Sequence, residues 1–537
     1  MRPAHRRRPV AGLLLAPLLA PLLTGCFAAD GGSTGAPGSG GSSDGARLRI
    51  ALAFPPSENF SPYGADATLL SRLGVTEGLT RLDGNGAASP ALAESWRREN
   101  GRSWLFTLRD ATFQDGAPVT ADAVAAALTH ATRATPLPTA LAGVKLTARA
   151  SGDRTVRVTT ATADPVLPLR LAGPSLAVLS PKAYGKKTDG KQADGKKTET
   201  AGKTETAGKK EAGKGSAPDP VGHATGPFTL TKVNGSASAT LDRFDDYWGG
   251  RAQASGIDAK FIADGTARAN ALRTGEEDIA EAVPVSQAAS LPKGVAREVP
   301  TARTTSLFLN TRSGAFADPK VRAAARQAVD TSVLAKNVYE GYADPGQGVF
   351  GPALNWAAGL RKQPTGRAEP ASAAAVKGTT VTLATYDNRP ELPEVAQVLQ
   401  QQLEKAGFTV KLTVRESSRI EGDALAGKFD AFVGARNTML DTGDPVSVLA
   451  SDYTCDGTYN LALLCDRAVD RAVIAADAVA DPEERRRAVL AAEARILGTD
   501  AVVPLVHQRN VLGVATAVRG VLLDPYERAV VAPGTRR

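Results

Sequence analysis

Groups that bind metals or start covalent reactions are scarce in this 537-residue chain: it has four histidines and three cysteines. His5, His130, His223 and His507 stand at no metal-ligand spacing from one another or from a cysteine. A phosphate-cradling glycine loop, a dinucleotide fingerprint and a nucleophile elbow are all missing. No cofactor and no metal is therefore expected, and the chain does not read as an enzyme. A surface hydrolase with a triad drawn from distant residues stays as an alternative.

Long apolar runs are also missing. Beyond the N-terminus no stretch approaches the ~20 apolar residues that a spanning helix needs. Nor is there a basic surface in the body of the chain. The formal charge is +8, but Arg2, Arg6, Arg7 and Arg8 supply +4. Lys186 to Lys214, with nine lysines against five acidic residues, supply another +4. The remainder is near neutral, which argues against nucleic acid as a partner. With 42% hydrophobic and 22% charged residues, the chain can bury a sizeable core.

The N-terminus has a pattern of its own. A basic stretch precedes an apolar run from Ala11 to Leu23, followed at once by Leu23, Thr24, Gly25 and Cys26. That run is too short to span a membrane and has the shape of a signal-peptide core. Small residues before a cysteine resemble a bacterial lipoprotein cleavage box, so residues 1–26 are expected to be a signal and Cys26 the lipidated first residue. An ordinary secretory signal, or twin-arginine export through Arg6 to Arg8, are the other readings. Residues 27–46, rich in Gly and Ser, read as a tether too polar to fold. Cys455 and Cys465 then remain, as a disulfide in an exported protein or as two buried thiols.

From Ala46 on the pattern is α/β. Leu48, Ile50 and Leu52 alternate as in a half-buried strand. Trp104, Phe106 and Leu108 form a strand face, Asp115 and Gly116 a turn, and Thr120 the cap of a helix with Val124 and Leu128 inside. Asp318 before Pro319 starts another helix. Val381 and Leu383, then Leu392 to Leu403, then Val410 to Val414 read as strand, helix, strand, a parallel unit. Residues 185–220, a Lys, Gly, Thr, Glu and Ala tract, read as a disordered insertion with too few apolar residues to order it.

Several landmarks together resemble family 5 of the bacterial extracellular solute-binding proteins. The strongest runs from Leu92 through Trp96 to Asp115, Gly116 and Pro118 to Asp122. Asp246 to Gly250, Asp278 to Ala280, Leu309 and Asn310, Val321 and Arg322, and Ala328 to Asp330 follow in the expected order. That family serves dipeptide, oligopeptide and nickel import through ATP-driven transporters. The resemblance implies a two-lobed, type II periplasmic-binding-protein fold with a hinge and a central cleft. Lobe 1 would comprise residues 47–303 and 500–537, and lobe 2 residues 304–499. The crossing segments would run near Arg303 to Asn310 and Asp500 to Leu505. A peptide-like solute, the permease of an ABC importer and the membrane, through lipid on Cys26, are the implied partners of a monomeric chain. A ligand-sensing surface lipoprotein of the same fold is the alternative.

The resemblance also implies cleft residues. Asp441 falls where peptide-binding relatives carry an aspartate for the ligand's amino group. Arg436, Asn437 and Asp444 share its stretch, where the relatives' tryptophan and tyrosine are absent and Met439 and Thr442 stand nearby. Phe54, Ser57 and Asn59 would line the cleft from lobe 1, with Phe308 at the crossing and Trp356 from lobe 2. The alternatives are a loop-capping role for Asp441, a solvated Arg436 and a core position for Trp356.

Overall fold

The computed structural model describes residues 45–184, 217–387 and 389–537. The signal reading, Cys26, most of the tether and nearly all of the Lys-rich insertion lie outside these residues.

A mixed eleven-stranded sheet carries the chain. Its strands, numbered along the sequence, are β1 (Leu48–Leu52), β2 (Phe228–Asn234), β3 (Ser238–Arg243), β4 (Gly256–Phe261), β5 (Ile279–Ala280), β6 (Ala296–Leu309), β7 (Ala343–Pro345), β8 (Thr380–Tyr386), β9 (Thr409–Arg415), β10 (Ala431–Asn437) and β11 (Val502–Val514). Their order is β9-β8-β10-β6-β11-β5-β1-β4-β3-β2, with β7 on β11. β1 is not half-buried, as its alternation suggests. It lies parallel between β4 and β5, and Ala51 packs against Ala269 and Leu272 of helix Gly265–Arg273. Covered on both faces, a parallel strand loses its polar side.

The expected parallel unit is present. β8 pairs with β9 in parallel through helix Glu391–Lys405. Gly407 ends that helix at φ +111°, a conformation in which a Cβ would be strained. Leu392, Val395, Leu399 and Leu403 bury its inner stripe.

A separate antiparallel sheet joins Ala93–Arg98, Ser103–Leu108, Thr155–Thr160 and Leu146–Ala150. Helix Ala121–Ala131 packs on it, and Thr120 caps that helix by accepting from the Ala123 amide at 3.2 Å. Phe106, Phe113, Val124 and Leu128 form its core. Asp246 to Gly250 serves the framework: the Tyr247 hydroxyl and the Trp248 indole both donate to half-buried Glu77, at 2.8 and 3.0 Å.

Two strands connect the major cores. Leu307 of β6 and Val502 of β11 lie in the core built on Leu383, Leu399 and Val433. Leu512 and Val514, at the far end of β11, lie in the core of Leu48, Ile50 and Phe228. β6 and β11 pair antiparallel along nearly their whole length, with a break in register between Pro300 and Thr304.

Candidate functional site

β10 delivers Arg436 to two carboxylates, of which Asp452 is buried and Asp441 is part-exposed. Its Nε donates to Asp452 at 2.9 Å and its Nη2 to Asp441 at 3.4 Å. The guanidinium lies 4.7 Å from the Tyr459 ring centroid. Burial alone would lower the Arg436 pKa, but Asp452 and Asp441 outweigh it and keep the group charged. Arg436 is thus a paired, half-buried cation and not a solvated one.

Asp441 is held more loosely. Its two contacts are long, to Arg436 and from the Thr139 hydroxyl at 3.3 Å, and its side chain is 30% exposed. The loop around it is tightly seated. A Cβ on Gly173 would stand 2.6 Å from the Asp441 carbonyl oxygen, so only glycine allows this approach. Arg528 ties the same loop to its neighbour, donating to the carbonyls of Met439 at 2.6 Å and Ala172 at 2.8 Å.

Other expected cleft residues are occupied in the framework. Asp444 caps helix Pro445–Tyr453 and receives two hydrogen bonds from Arg485, at 3.0 and 2.6 Å. At 3% exposure neither of its oxygens faces open space. The Asn437 amide donates to Tyr526 O and accepts from the Met439 amide, which fixes the loop. Phe308 is 2% exposed, packed in the core beside Phe432 and Gly434. Trp356 is half-buried at the core edge, 6.2 Å from Phe350 and under Arg486. Ser57 and Asn59 belong to a loop wrapped on Asp66. That carboxylate accepts from the amides of Ser57, Glu58 and Phe60 at 2.8–2.9 Å.

Phe54 leads to the part that the sequence reading passed over. It is 40% exposed and faces the Arg389 guanidinium at 5.7 Å. Behind them lies a buried ionic cluster drawn from five places in the chain. Arg303, on β6, meets Glu527 through two hydrogen bonds, at 3.2 and 2.5 Å. Arg72 bridges Glu281 at 3.0 Å and Glu527 at 3.8 Å. Asn510 donates to Glu527 at 2.8 Å. The positive charges around Glu527, Arg303 first, hold its carboxyl well below the usual range against the effect of burial. Arg303, Arg72 and Arg389 thus face two carboxylates, and Arg389 has no ion-pair partner among the described residues. Burial and the nearby charge of Arg303 lower its pKa, the cost of an uncompensated cation. No spacing signals this cluster in the sequence. The one charge in the buried stretch Thr301 to Leu309 of β6, Arg303, was the nearest sign, since a charge in a buried strand needs a partner.

Comparison with known proteins accords with this architecture. A model of the bacterial extracellular solute-binding proteins, family 5 Middle, matches residues 87–460. The glutathione-binding protein GsiB of Salmonella typhimurium is 27% identical over 486 residues, covering 84% of this chain and 88% of that protein. The nickel-binding protein NikA of Staphylococcus aureus is 26% identical over 434 residues, covering 78% and 79%. Among solved structures, a dipeptide-binding protein from Pseudoalteromonas sp. SM9913 in complex with Met-Leu superposes with a TM-score of 0.75 at 18% identity, over 91% of this chain and 99% of that one. NikA of Staphylococcus aureus in complex with Ni(L-His)2 gives 0.72 at 21% identity, over 92% and 100%. The fold is accordingly the type II periplasmic-binding-protein fold of the peptide and nickel cluster. On the family match, across most of its length, the chain belongs to the bacterial extracellular solute-binding proteins of family 5, and is a binding protein and not an enzyme.

Proposed function

We propose that the chain is the substrate-binding lipoprotein of an ATP-driven importer and that it captures a small, carboxylated, peptide-like solute. The observation that carries the reading is Arg389. It is a cation beside an exposed aromatic ring, in a cluster whose carboxylates are already committed to Arg303 and Arg72. A solute carboxylate would complete it with charge-assisted hydrogen bonds, about twice as strong as neutral ones. Asp441, with long contacts and an exposed edge, is suited to a solute ammonium group. Glutathione, Met-Leu and Ni(L-His)2, the solutes named for the relatives, all contain carboxylates.

In this reading residues 47–303 and 500–537 form one lobe and residues 304–499 the other. β6 and β11 cross between them, and solute binding favours closure by the contacts added there. Lipid on Cys26 would hold the protein at the outer face of the membrane, near its permease, at a high effective concentration.

The test is native mass spectrometry of the chain from Phe27 onward, purified without denaturant, against the mass of the unfolded chain. A bound mass of a few hundred daltons that fragments as a carboxylated compound is the expected result. A co-purified solute without a carboxylate would overturn the assignment of Arg389. Replacing Cys26 with Ser should release the protein from membranes, and continued partition into detergent would refute lipidation.

A further inference from the structure

The loop that carries Asp441 reaches across to residues 169–173. We infer that this contact is a clasp, which holds the two lobes shut before a solute arrives. The inference rests on the division into lobes proposed above and adds a resting state to it.

β10 ends at Asn437, and the residues after it run along the seam. Thr438 stays at the crossing, where its amide and its hydroxyl both donate to the Ala302 carbonyl, at 2.9 and 3.0 Å. Farther along the loop, the Gly443 amide donates to the Leu169 carbonyl at 3.1 Å. Leu169 belongs to lobe 1 and Gly443 to lobe 2, so a swing about β6 and β11 would part this bond. Arg528, in the C-terminal return to lobe 1, spans the same seam. One arm of its guanidinium donates to the Ala172 carbonyl in lobe 1 and the other to the Met439 carbonyl in lobe 2. Bonds from a charged donor are about twice as strong as neutral ones.

The seam is also close-packed. Thr438, Met439 and Thr442 are buried. Leu82 of lobe 1 and Tyr526 of the C-terminal return pack with the core of lobe 2, built on Leu383 and Leu399. Glycines permit the approach from both sides. A Cβ on Gly173 would press on the Asp441 carbonyl oxygen, and one on Gly443 would run into the Leu82 side chain. Each of these contacts joins the chain to itself, and none of these residues lines the cavity beside Phe54. A chain closed at rest keeps its binding-competent state populated, so little of a solute's contact energy goes into closing it. Entry then waits on opening, and capture is slow and tight.

Hydrogen exchange and small-angle scattering test this, on the chain from Phe27 onward, unfolded in urea, washed free of solute and refolded with its disulfide intact. In the native chain the Gly443 amide should exchange at least about a hundredfold more slowly than in an unstructured peptide. Gly173→Ala and, separately, Leu82→Ser should each speed that exchange at least about tenfold and raise the radius of gyration. Exchange in helix Glu391–Lys405 should stay unchanged, and either variant that keeps this helix protected decides the matter. Native exchange at the unstructured rate, or variants that match the native chain in both readouts, would overturn the clasp and leave the solute-binding reading standing. Faster exchange at Gly443 with an unchanged radius of gyration would mean that the loop comes free while nothing swings. That result would overturn the clasp together with the division into lobes.

Discussion

Arg303 and Glu527 lie 224 positions apart in the chain and form a two-point ion pair with side chains only 10% and 7% exposed. Glu527 holds its place with a left-handed backbone, φ +59°, a conformation that costs a non-glycine residue of order 1–3 kcal/mol. Such strain persists where the surrounding contacts over-determine it, and Arg303, Arg72 and Asn510 all converge on this carboxylate.

Removing one partner should therefore be costly. Glu527→Gln is expected to lower unfolding stability by about 3–5 kcal/mol, because Arg303 is left buried and unpaired. Replacing both members with apolar residues should recover part of the loss. Equilibrium urea unfolding measures each. The carboxyl is depressed in the folded state, so its contribution is complete above the unfolded value of 4.5 and is lost as the pH falls below it. A Glu527→Gln curve that matches the native one at pH 7 would remove the pair from the stability account.

His507 predicts a second acid-sensitive step, at higher pH. Its Nε2 accepts from the Gln347 amide at 3.2 Å. The Thr304 hydroxyl donates to the Val349 carbonyl, so it is left to accept from the His507 Nδ1 proton. Both nitrogens are satisfied in the neutral ring, and burial lowers its pKa from 6.5 to about 4. The unfolded chain thus binds a proton that the folded chain refuses between those values. Stability should fall by about 3 kcal/mol from pH 7 to pH 4 on this account and level off below. His507→Gln should flatten that part of the profile in thermal melts.

Asp441 and Asp444 should separate by assay. Asp444→Asn is expected to cost about 1–3 kcal/mol of stability, since Arg485 loses its buried partner and keeps only the more exposed Asp477. Asp441→Asn should leave the melt unchanged and weaken an ammonium-bearing solute by about tenfold. Denaturation and calorimetry on the two variants decide this, and a reversed pattern would exchange their roles.

The Cys455–Cys465 disulfide closes a short loop that carries Tyr459, the residue stacked on Arg436. Replacing both cysteines with serine should cost about 2–3 kcal/mol by the loop-entropy estimate. Solute affinity should drop as well, because the support beneath Arg436 and Asp441 loosens. Unchanged affinity in the double variant would confine the bond to folding.

Elements with a local period were legible from sequence. The stripe Leu392 to Leu403, the Thr120 cap and the turn at Gly116 are fixed within a few residues of chain, and each forms as expected. The motifs that reveal the family are of the same kind: Tyr247 and Trp248 clamp Glu77, and Asp115 accepts from Ser180. They report the framework. The ionic cluster beside Phe54 is built otherwise. Arg72, Glu281, Arg303, Arg389 and Glu527 come from five separate segments and meet only through the sheet order. Asp444 and Phe308, expected at the cleft, lie buried in the framework for the converse reason: position along the chain does not say which way a side chain turns. On β6, alternation sends Phe308 into the core while Arg303 reaches the C-terminal segment.

The pairing of β6 with β11 has a mechanical consequence. Two strands laced side by side make a ribbon, and a ribbon flexes readily across its thin direction and resists shear in its own plane. The ladder between them shifts register twice, between Pro300 and Thr304 and again between Thr305 and Ser306. Compliance is expected between Pro300 and Ser306, where both shifts fall, so the two cores should swing about one axis as a jaw does, with little sideways slip. Arg303 lies within the first shift and also grips Glu527, so bending there would load a buried ion pair.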